Sequence, residues 1–498
     1  MACFSDPDRT ARLKSALPEV ERIFESFRSR QSIVGLAFGV VLDGDLVLCR
    51  GLGFQDRAAE RPVTPGTYFR IASMTKSFTA LAILRLRDEG RLSLEDPVAR
   101  WIPEAARWRP PYADTAPLRV RQLLTHGAGF PEDNPWGDRQ LNVTEEAFSR
   151  WLRQGLPFST APDTAYEYSN YGFALLGRIV AKASGLTCRA YLERKILQPL
   201  GMRSTTLEPS SVPEKLRALG YRPSADSFQE EPPLADGAFG PMGGLLTTAE
   251  DMGKYVAFHL SAWPPRDDPD PGPVRRSSLR EMQRAWRTDS FSVRRTSPEE
   301  PVRAASSGYG YGLRISADCR FRHIVGHGGG LPGYGSYMVW LPEYGVGIFA
   351  MDNLTYASPR AACDEVFDLL RKTGALQPRR LPASPALEQA RSSLLRLWAR
   401  WDDPEARQLA ADNLFLDTPA EDRRLEIETM KKELGACRAD GEILAENLLR
   451  GAFRLSCEKG AVQIVFTLAP THPPRIQHLQ ITADSSSQTA TKGPCPGP

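Results

Sequence analysis

The sequence lacks the features that mark several common classes of protein. Its 63 Lys and Arg nearly balance its 60 Asp and Glu, so the formal net charge is only +3. Proteins that bind nucleic acid or an acidic membrane surface through charge usually carry a larger positive excess. A Gly-rich phosphate loop ending in Lys-Ser or Lys-Thr is also missing. We therefore expect no nucleic-acid partner.

Long hydrophobic runs are missing as well. No apolar stretch is long enough to span a bilayer. The first residues, MACFSDPDRTARLK, lack the apolar core of a secretory signal. As the sequence stands we expect a cytoplasmic protein, or a periplasmic or secreted one if a signal peptide has been removed.

Metal-binding patterns are not found among the eight cysteines and six histidines. No two cysteines form a Cys-x-x-Cys pair, which argues against a zinc ribbon or a thioredoxin-like site. His323 and His327 would lie about 13 Å apart along a strand, too far to hold one ion. We predict neither a metal nor a cofactor. Cys437 and Cys457 flank strand-like segments, and two buried free thiols are slightly favoured over a disulfide.

Strand patterns at both ends of the first 375 residues enclose a long helical middle. Residues 33–53 predict a hairpin at Asp43-Gly44. Residues from about 95 to 260 are mostly helical in pattern, and 262–306 are predicted to be surface loops around one short helix. The simplest arrangement is an α/β fold of the α+β type: one antiparallel sheet built from both ends, flanked by helices, with a helical block inserted.

The chain after this part changes in composition. Residues 376–386 are Pro-rich and predict a linker. Residues 387–485 contain helix patterns followed by at least three strand patterns, which predicts a small α+β domain. Residues 486–498 are predicted to be a disordered tail.

The stretch IASMTKSFTALAILRLRDEGRL predicts a helix that begins near Ser73 and stops near Gly90. Ser73 and Lys76 would be neighbours on this helix, because they are three positions apart. A helix N-terminus favours a developing oxyanion, and apolar packing can lower the pKa of a lysine until it accepts the serine proton. A capping serine followed by a solvated lysine is the plainer alternative.

Two further stretches contain residues that could line a binding cleft. In YEYSNYG, Tyr168 and Asn170 are two apart, so in an extended segment both side chains point the same way. In VGHGGGLPGYGS, three glycines follow His327 and would let another backbone approach closely. The alternatives are a polar loop in which Asn170 caps the next helix, and a flexible turn between strands.

In that order, the Ser-x-x-Lys, Tyr-x-Asn and His-x-Gly motifs resemble the serine β-lactamase and penicillin-binding protein family. VRQLLTHGAGFP, ILQPLGMRSTTL and GGLLTTAEDMGKY resemble it too, so that the resemblance covers residues 15–375. The nearest branch is the one that contains class C β-lactamases, D,D-carboxypeptidases, D-aminopeptidases and related esterases. The resemblance implies a β-lactamase/transpeptidase-like fold for residues 1–375.

The resemblance also implies catalytic roles. Ser73 would be the nucleophile that forms an acyl-enzyme, and Lys76 would be its base. Tyr168 would move the proton to and from the leaving group, with a pKa lowered by Lys76.

Binding roles follow in the same way. Asn170 would hold a substrate amide carbonyl. The strand His327-Gly328-Gly329 would pair with the substrate backbone. The N–H groups of Ser73 and Gly330 would form the oxyanion hole.

One position departs from the pattern of many β-lactamases, which carry Lys where this chain has His327. A neutral His removes a positive charge that would meet a substrate carboxylate. The expected function is therefore hydrolysis of esters or amides of small molecules or short peptides, with weak β-lactam turnover. The alternatives are a penicillin-binding or sensor protein that is acylated without turnover, and a scaffold with a dead site, which the presence of all three catalytic residues disfavours.

Residues 387–485 resemble the cone-shaped domains of the nuclear-transport-factor-like superfamily and contain no matching catalytic motif. Three roles are open for this domain: covering the mouth of the active site, mediating formation of a homodimer, or adding stability.

Overall fold

The computed structural model describes residues 2–225, 227–270, 272–295 and 302–484. They form two compact units. The larger spans residues 8–377, and the smaller combines residues 2–7 with 378–484. The tail predicted at 486–498 lies outside the described residues. In the part of the chain that is described, no helix has the length and apolar character needed to cross a membrane.

The larger unit carries most of its helices between two groups of strands. Its strands are β1 (Gly35–Leu42), β2 (Asp45–Asp56), β3 (Arg61–Pro62), β4 (Phe69–Arg70), β5 (Tyr221–Ser224), β6 (Ser227–Glu230), β7 (Leu246–Thr247), β8 (Arg287–Arg294), β9 (Arg303–Tyr309), β10 (Arg314–Asp318), β11 (Ile324–Leu331), β12 (Tyr334–Leu341) and β13 (Val346–Asp352). Its α-helices are α1 (Arg9–Ser15), α2 (Leu17–Arg30), α3 (Thr75–Asp88), α4 (Val98–Trp101), α5 (Val120–Leu124), α6 (Glu145–Gln154), α7 (Asn170–Ser184), α8 (Cys188–Leu192), α9 (Gly240–Gly243), α10 (Ala249–Leu260), α11 (Arg276–Met282) and α12 (Arg360–Lys372).

One antiparallel sheet organises this unit. Its strand order is β3-β2-β1-β13-β12-β11-β10-β9-β8, so strands from the beginning and the end of the unit meet where β1 pairs with β13. Asp43 and Gly44 turn the β1–β2 hairpin, both with positive φ, as this type of turn requires. The predicted antiparallel sheet, built from both ends around a helical block, is confirmed.

Helices cover both faces of the sheet. Along β1, Ala37 and Val41 join the core that contains α3, α7 and α10. Their neighbours Phe38 and Val40 point the other way, into the core that contains α2 and α12. Because both faces are buried, β1 has an unbroken apolar sequence. Residues 71–84 are all buried too, which places the start of α3 in the interior.

The prediction of surface loops for 262–306 is partly wrong. The short helix is present as α11, but β8 and the first residues of β9 extend the sheet. Most side chains of β8 are exposed. An edge strand with solvent on both faces needs no apolar face, so the alternation that reveals most strands is absent from this sequence. Residues 271 and 296–301 lie outside the described part.

The smaller unit packs helices on a four-stranded antiparallel sheet. Its helices are α13 (Pro385–Ala399), α14 (Asp403–Leu409), α15 (Leu414–Asp417) and α16 (Ala420–Leu434), and its strands, in sheet order, are β14 (Cys437–Asn447), β15 (Arg450–Cys457), β16 (Gly460–Leu468) and β17 (Ile476–Asp484). Cys437 and Cys457 form a disulfide, so the expectation of two free thiols is wrong. The β14–β15 register places the two residues directly opposite each other, and the sequence alone does not fix that register.

Candidate active site

Ser73 and Lys76 lie together where α3 begins. Residues Ala72–Met74 form a 3₁₀ turn that leads into the helix. Ala72 has a φ of 48°, a conformation that is strained for any residue with a side chain. The Ser73 Oγ is 3.0 Å from the Lys76 Nζ. Lys76 is fully buried, which excludes the alternative of a capping serine followed by a solvated lysine.

Two further oxygens surround the Lys76 amine. The Nζ is 2.6 Å from the Asn170 Oδ1 and 2.9 Å from the Met242 carbonyl oxygen. Burial lowers the pKa of Lys76 to about 7, although the carboxylates of Asp138 and Asp133 oppose this shift. A neutral amine can donate its two hydrogens to Asn170 and Met242, which leaves its lone pair for the Ser73 hydroxyl proton.

The Tyr168 phenol is the third side chain at this site, beside Ser73 and Lys76. The Lys76 Nζ lies 4.8 Å from the centre of the Tyr168 ring. Burial raises the pKa of Tyr168 well above its ordinary value, and a side-chain interaction with Ser73 only partly offsets this. The expectation that Lys76 lowers this pKa is therefore wrong. With a pKa of about 7, Lys76 is only about half charged at neutral pH, whereas burial removes the water that would stabilise a phenolate. Tyr168 keeps its proton at neutral pH.

The loop before α6 fixes Asn170. Asp133 accepts hydrogen bonds from the backbone N–H groups of Asn170 and Tyr171, at 2.6 and 2.7 Å. The Asn170 Nδ2 donates to the Asn134 Oδ1 at 2.7 Å. The Asn170 side chain is fully buried, with its Oδ1 facing the Lys76 amine and one Nδ2 hydrogen directed to Asn134. Binding of a substrate carbonyl by Asn170 stays a prediction.

The His-x-Gly motif, residues 327–329, lies on a strand that has one unpaired edge beside Ser73. Strand β11 pairs with β12 along residues 325–331, but with β10 only at 324–326 among the described residues. Residues 327–331 therefore keep one unpaired edge. A Cβ at Gly329 would lie 2.3 Å from the Ile71 carbonyl oxygen, so the strand runs directly against the segment that leads to Ser73. Only glycine permits this approach.

His327 itself faces the protein interior. Its Nε2 is 2.8 Å from the Tyr309 hydroxyl, and its Nδ1 is 2.5 Å from the Gly328 carbonyl oxygen. Tyr309 thus donates to the Nε2, while the Nδ1–H donates to Gly328. Burial lowers the pKa of His327 to about 3, so the ring is neutral at pH 7, as expected. With both nitrogens engaged, the side chain offers no cation to a ligand.

The His126 ring packs against the Tyr168 ring. Their ring centres are 4.3 Å apart, and the His126 Nδ1 accepts a hydrogen bond from the Ser169 N–H at 3.0 Å. This ring therefore anchors the loop that carries Tyr168. In the part of the chain that is described, the site included, no three His, Cys, Asp or Glu side chains are grouped so that they could hold a metal ion.

Two residues that no motif indicated, Asp138 and Tyr356, are in contact at the site. The Tyr356 hydroxyl donates to the Asp138 Oδ2 at 3.2 Å. A Cβ at Gly330 would lie 2.7 Å from the Tyr356 ring, so this ring rests against the open edge of β11. Asp138 ends the acid-rich stretch PEDNPWGD, which was a visible signal, whereas nothing in the sequence around Tyr356 indicates its position.

Comparison with known proteins gives matches over most of the larger unit. A family model described as Beta-lactamase matches residues 20–371. "Protein flp" of Staphylococcus aureus (strain MW2) is 27% identical over 338 residues, which are 68% of this chain and 63% of that protein. The chain thus spans less than two thirds of the length of Protein flp. "Penicillin-binding protein 4*" of Bacillus subtilis (strain 168) is 25% identical over 420 residues, 80% of this chain and 86% of that protein.

Solved structures with the same fold cover both units or the larger one. The octameric penicillin-binding protein homologue from Pyrococcus abyssi superposes with a TM-score of 0.62 at 23% identity, over 91% of this chain and 94% of that one. EstCE1, a hydrolase with promiscuous acyltransferase activity, gives 0.58 at 19% identity, over 72% and 99%. These two similarities concern the fold alone. The match to residues 20–371 extends over well more than half of the sequence, and it shows that the chain belongs to the beta-lactamase family.

Proposed function

We propose that this protein is a serine hydrolase that cleaves ester or amide bonds of small molecules or short peptides through an acyl-enzyme on Ser73. One observation carries the proposal. The buried Lys76 Nζ lies 3.0 Å from the Ser73 Oγ. It donates hydrogen bonds to the Asn170 Oδ1 and to the Met242 carbonyl oxygen. Membership in the beta-lactamase family supports the same reaction type.

Before acylation, the substrate backbone lies along the open edge of β11. The substrate carbonyl oxygen accepts hydrogen bonds from the N–H groups of Ser73 and Gly330. The Ser73 Oγ attacks the carbonyl carbon while its proton moves to the neutral Lys76 amine. A new C–O bond forms and the carbonyl electrons move to the oxygen. The bond to the leaving group then breaks as Tyr168 protonates that group, and Lys76 returns a proton to Tyr168.

Deacylation repeats these steps with water. Water attacks the acyl carbon, gives its proton to the same Lys76–Tyr168 pair, and the proton passes to the Ser73 Oγ as the ester bond breaks. The product is a carboxylic acid, and the enzyme returns to its starting protonation state. No oxidant, reductant or added cofactor is required for this balance.

The state of His327 supports esters and amides over β-lactams. A cation at position 327 would attract the carboxylate of a β-lactam, and the neutral, doubly hydrogen-bonded His327 provides none. Weak β-lactam turnover is the corresponding expectation.

Hydrolysis of p-nitrophenyl acetate and butyrate tests the proposal, combined with intact-protein mass spectrometry of the quenched reaction. We expect steady release of p-nitrophenol and an acyl adduct, both lost in Ser73→Ala. Ser261→Ala, which removes a hydroxyl at the end of α10, is the matched control and should keep both. The proposal fails if neither esters nor a fluorophosphonate modify Ser73.

A second candidate is a penicillin-binding or sensor protein that is acylated without efficient turnover. The similarity to Penicillin-binding protein 4* favours it. A benzylpenicillin adduct that persists for hours, with no more than one equivalent of product, would select this candidate over the hydrolase.

A further inference from the structure

We infer that the Tyr356 ring closes the acyl end of the site and so sets the length of the acyl group that Ser73 can accept. This inference rests on the proposed function and deepens it. It assigns a role in substrate selection to a side chain that belongs to none of the three motifs.

The position of Tyr168 gives the substrate a direction along β11. The centre of the Tyr168 ring lies 6.3 Å from that of His327, where the unpaired edge of β11 begins. In the proposed reaction Tyr168 protonates the leaving group, so the leaving group points toward His327. The substrate carbonyl lies at Gly330, three residues further along the strand. The acyl group therefore extends in the other direction, past Gly330.

The Tyr356 ring occupies that end of the cleft. A Cβ at Gly330 would lie 2.7 Å from the ring carbon Cδ1 of Tyr356. The Tyr356 hydroxyl donates to the Asp138 Oδ2 at 3.2 Å, on the loop before α6. That loop belongs to the opposite wall, because a Cβ at Gly137 would lie 2.8 Å from the Asn170 side chain. The side chain of Tyr356 thus reaches from β11 to the opposite wall, and a chain that continued past Gly330 would meet its ring.

The backbone holds this ring in place. The Tyr356 N–H donates to the Leu331 carbonyl oxygen at 3.4 Å, so this carbonyl is already paired. The hydroxyl of the preceding Thr355 donates to the Tyr221 carbonyl oxygen at 2.9 Å and accepts from the Gly333 N–H at 2.8 Å. Tyr356 has a φ of 55°, which is strained for a residue with a side chain. Such strain persists only where the surrounding contacts fix the residue, as they do here.

A fixed ring at this position favours short acyl groups over long ones. Tyr356 is 43% exposed although its hydroxyl is engaged, so a ligand can contact the ring. A short acyl group fits between the Ser73 Oγ and the ring. A longer one has to displace the ring and break its hydrogen bond to Asp138. This cost is present in the transition state, so kcat/KM should fall as the acyl chain lengthens.

The test is the acyl-length profile of the full-length protein with p-nitrophenyl acetate, butyrate, hexanoate and octanoate. We expect kcat/KM for acetate to exceed that for octanoate by about tenfold or more. Tyr356→Ala should remove most of this preference by raising kcat/KM for octanoate itself. Tyr356→Phe keeps the ring and should retain most of the preference. Tyr112→Ala removes an exposed ring elsewhere in the larger unit and should leave the profile unchanged.

A gain of octanoate hydrolysis separates a role in selection from a structural one, because a misfolded variant loses activity on every ester. If Tyr356→Ala does not fold, Tyr356→Gly removes the ring and also relieves the positive φ. Equal kcat/KM for acetate and octanoate in the unmodified protein would overturn this inference and leave the proposed function standing. So would an unchanged ratio in a ring-deleted variant whose Ser73 is acylated. If no ester and no fluorophosphonate modifies Ser73, the proposed function itself fails.

Discussion

The two units of this chain differ in how much local strain and buried charge they contain. Among the described residues of the larger unit, eight other than glycine have positive φ, and three of these, Ala72, His126 and Tyr356, lie at the site. Among described residues 378–484, no residue other than glycine has positive φ, and burial lowers the pKa of Arg423. Strained backbone and buried charge reduce stability, and both are concentrated in the unit that contains the site.

The smaller unit has the features of a stable but chemically plain domain. Its strands alternate between core and solvent, with Val462, Ile464 and Phe466 in the core, and a disulfide ties its first two strands. The comparison therefore predicts that changes in the larger unit can remove activity with little effect on stability. Changes in the smaller unit should do the opposite.

The largest expected effect is that of Ser73→Ala. Loss of the nucleophile should lower kcat for ester hydrolysis by a factor on the order of a million, as for other serine hydrolases. The thermal midpoint should change little, because only one hydroxyl is removed. Progress curves and calorimetry on the same sample check both statements. Retention of more than a small fraction of the activity would place the nucleophile elsewhere.

Tyr168→Phe should have the next largest effect. Removing the group that protonates the leaving group should lower kcat/KM by about 10²–10⁴-fold. Tyr166→Phe is the matched control, since Tyr166 lies two residues away and accepts a hydrogen bond from Arg314. We expect the control to lose far less activity. Equal losses in the two variants would contradict the assigned role of Tyr168.

Removal of the disulfide tests the other side of the comparison. Cys437→Ser with Cys457→Ser should destabilise the smaller unit by about 2–4 kcal/mol, because the cross-link no longer restricts the unfolded chain. Urea unfolding followed by circular dichroism measures this loss. Ester hydrolysis at 25 °C should stay within twofold of the unmodified protein. A parallel loss of activity would show that the smaller unit contributes to the site.

The smallest effects concern strain within the larger unit. Glu60 has a φ of 49° in an exposed turn, and Glu60→Gly should raise the free energy of unfolding by about 0.5–1 kcal/mol without changing activity. Ala72→Gly relieves similar strain next to Ser73, and here we expect kcat to fall while stability rises or stays constant. If both variants keep full activity, the strain at Ala72 has no catalytic role.

Much of the fold could be predicted because it follows local rules. Asp43-Gly44 specified its hairpin, and residues 249–260 form the expected helix α10. Strand β8 could not be predicted, because an edge strand needs no apolar face. The Cys437–Cys457 disulfide depended on a register that no local pattern fixes.

The candidate site shows the same division. Ser73, Lys76 and Tyr168 were predicted from two motifs, Ser-x-x-Lys and Tyr-x-Asn, and the structure brings them together. Asp138 and Tyr356 were missed because they meet only through the tertiary fold. The pKa of Tyr168 was misjudged because it depends on burial, which sequence spacing does not reveal.

The central claim is that neutral Lys76 activates Ser73, and the rate of fluorophosphonate labelling against pH tests it most directly. Peptide mapping should find the label on Ser73. Because burial lowers the pKa of Lys76 to about 7, the rate should rise with pH through 7 and level off above it. Below pH 6, where the amine is protonated, the rate should fall about tenfold per pH unit. Labelling at another residue, or a rate on Ser73 that is constant from pH 5 to 9, would contradict the account.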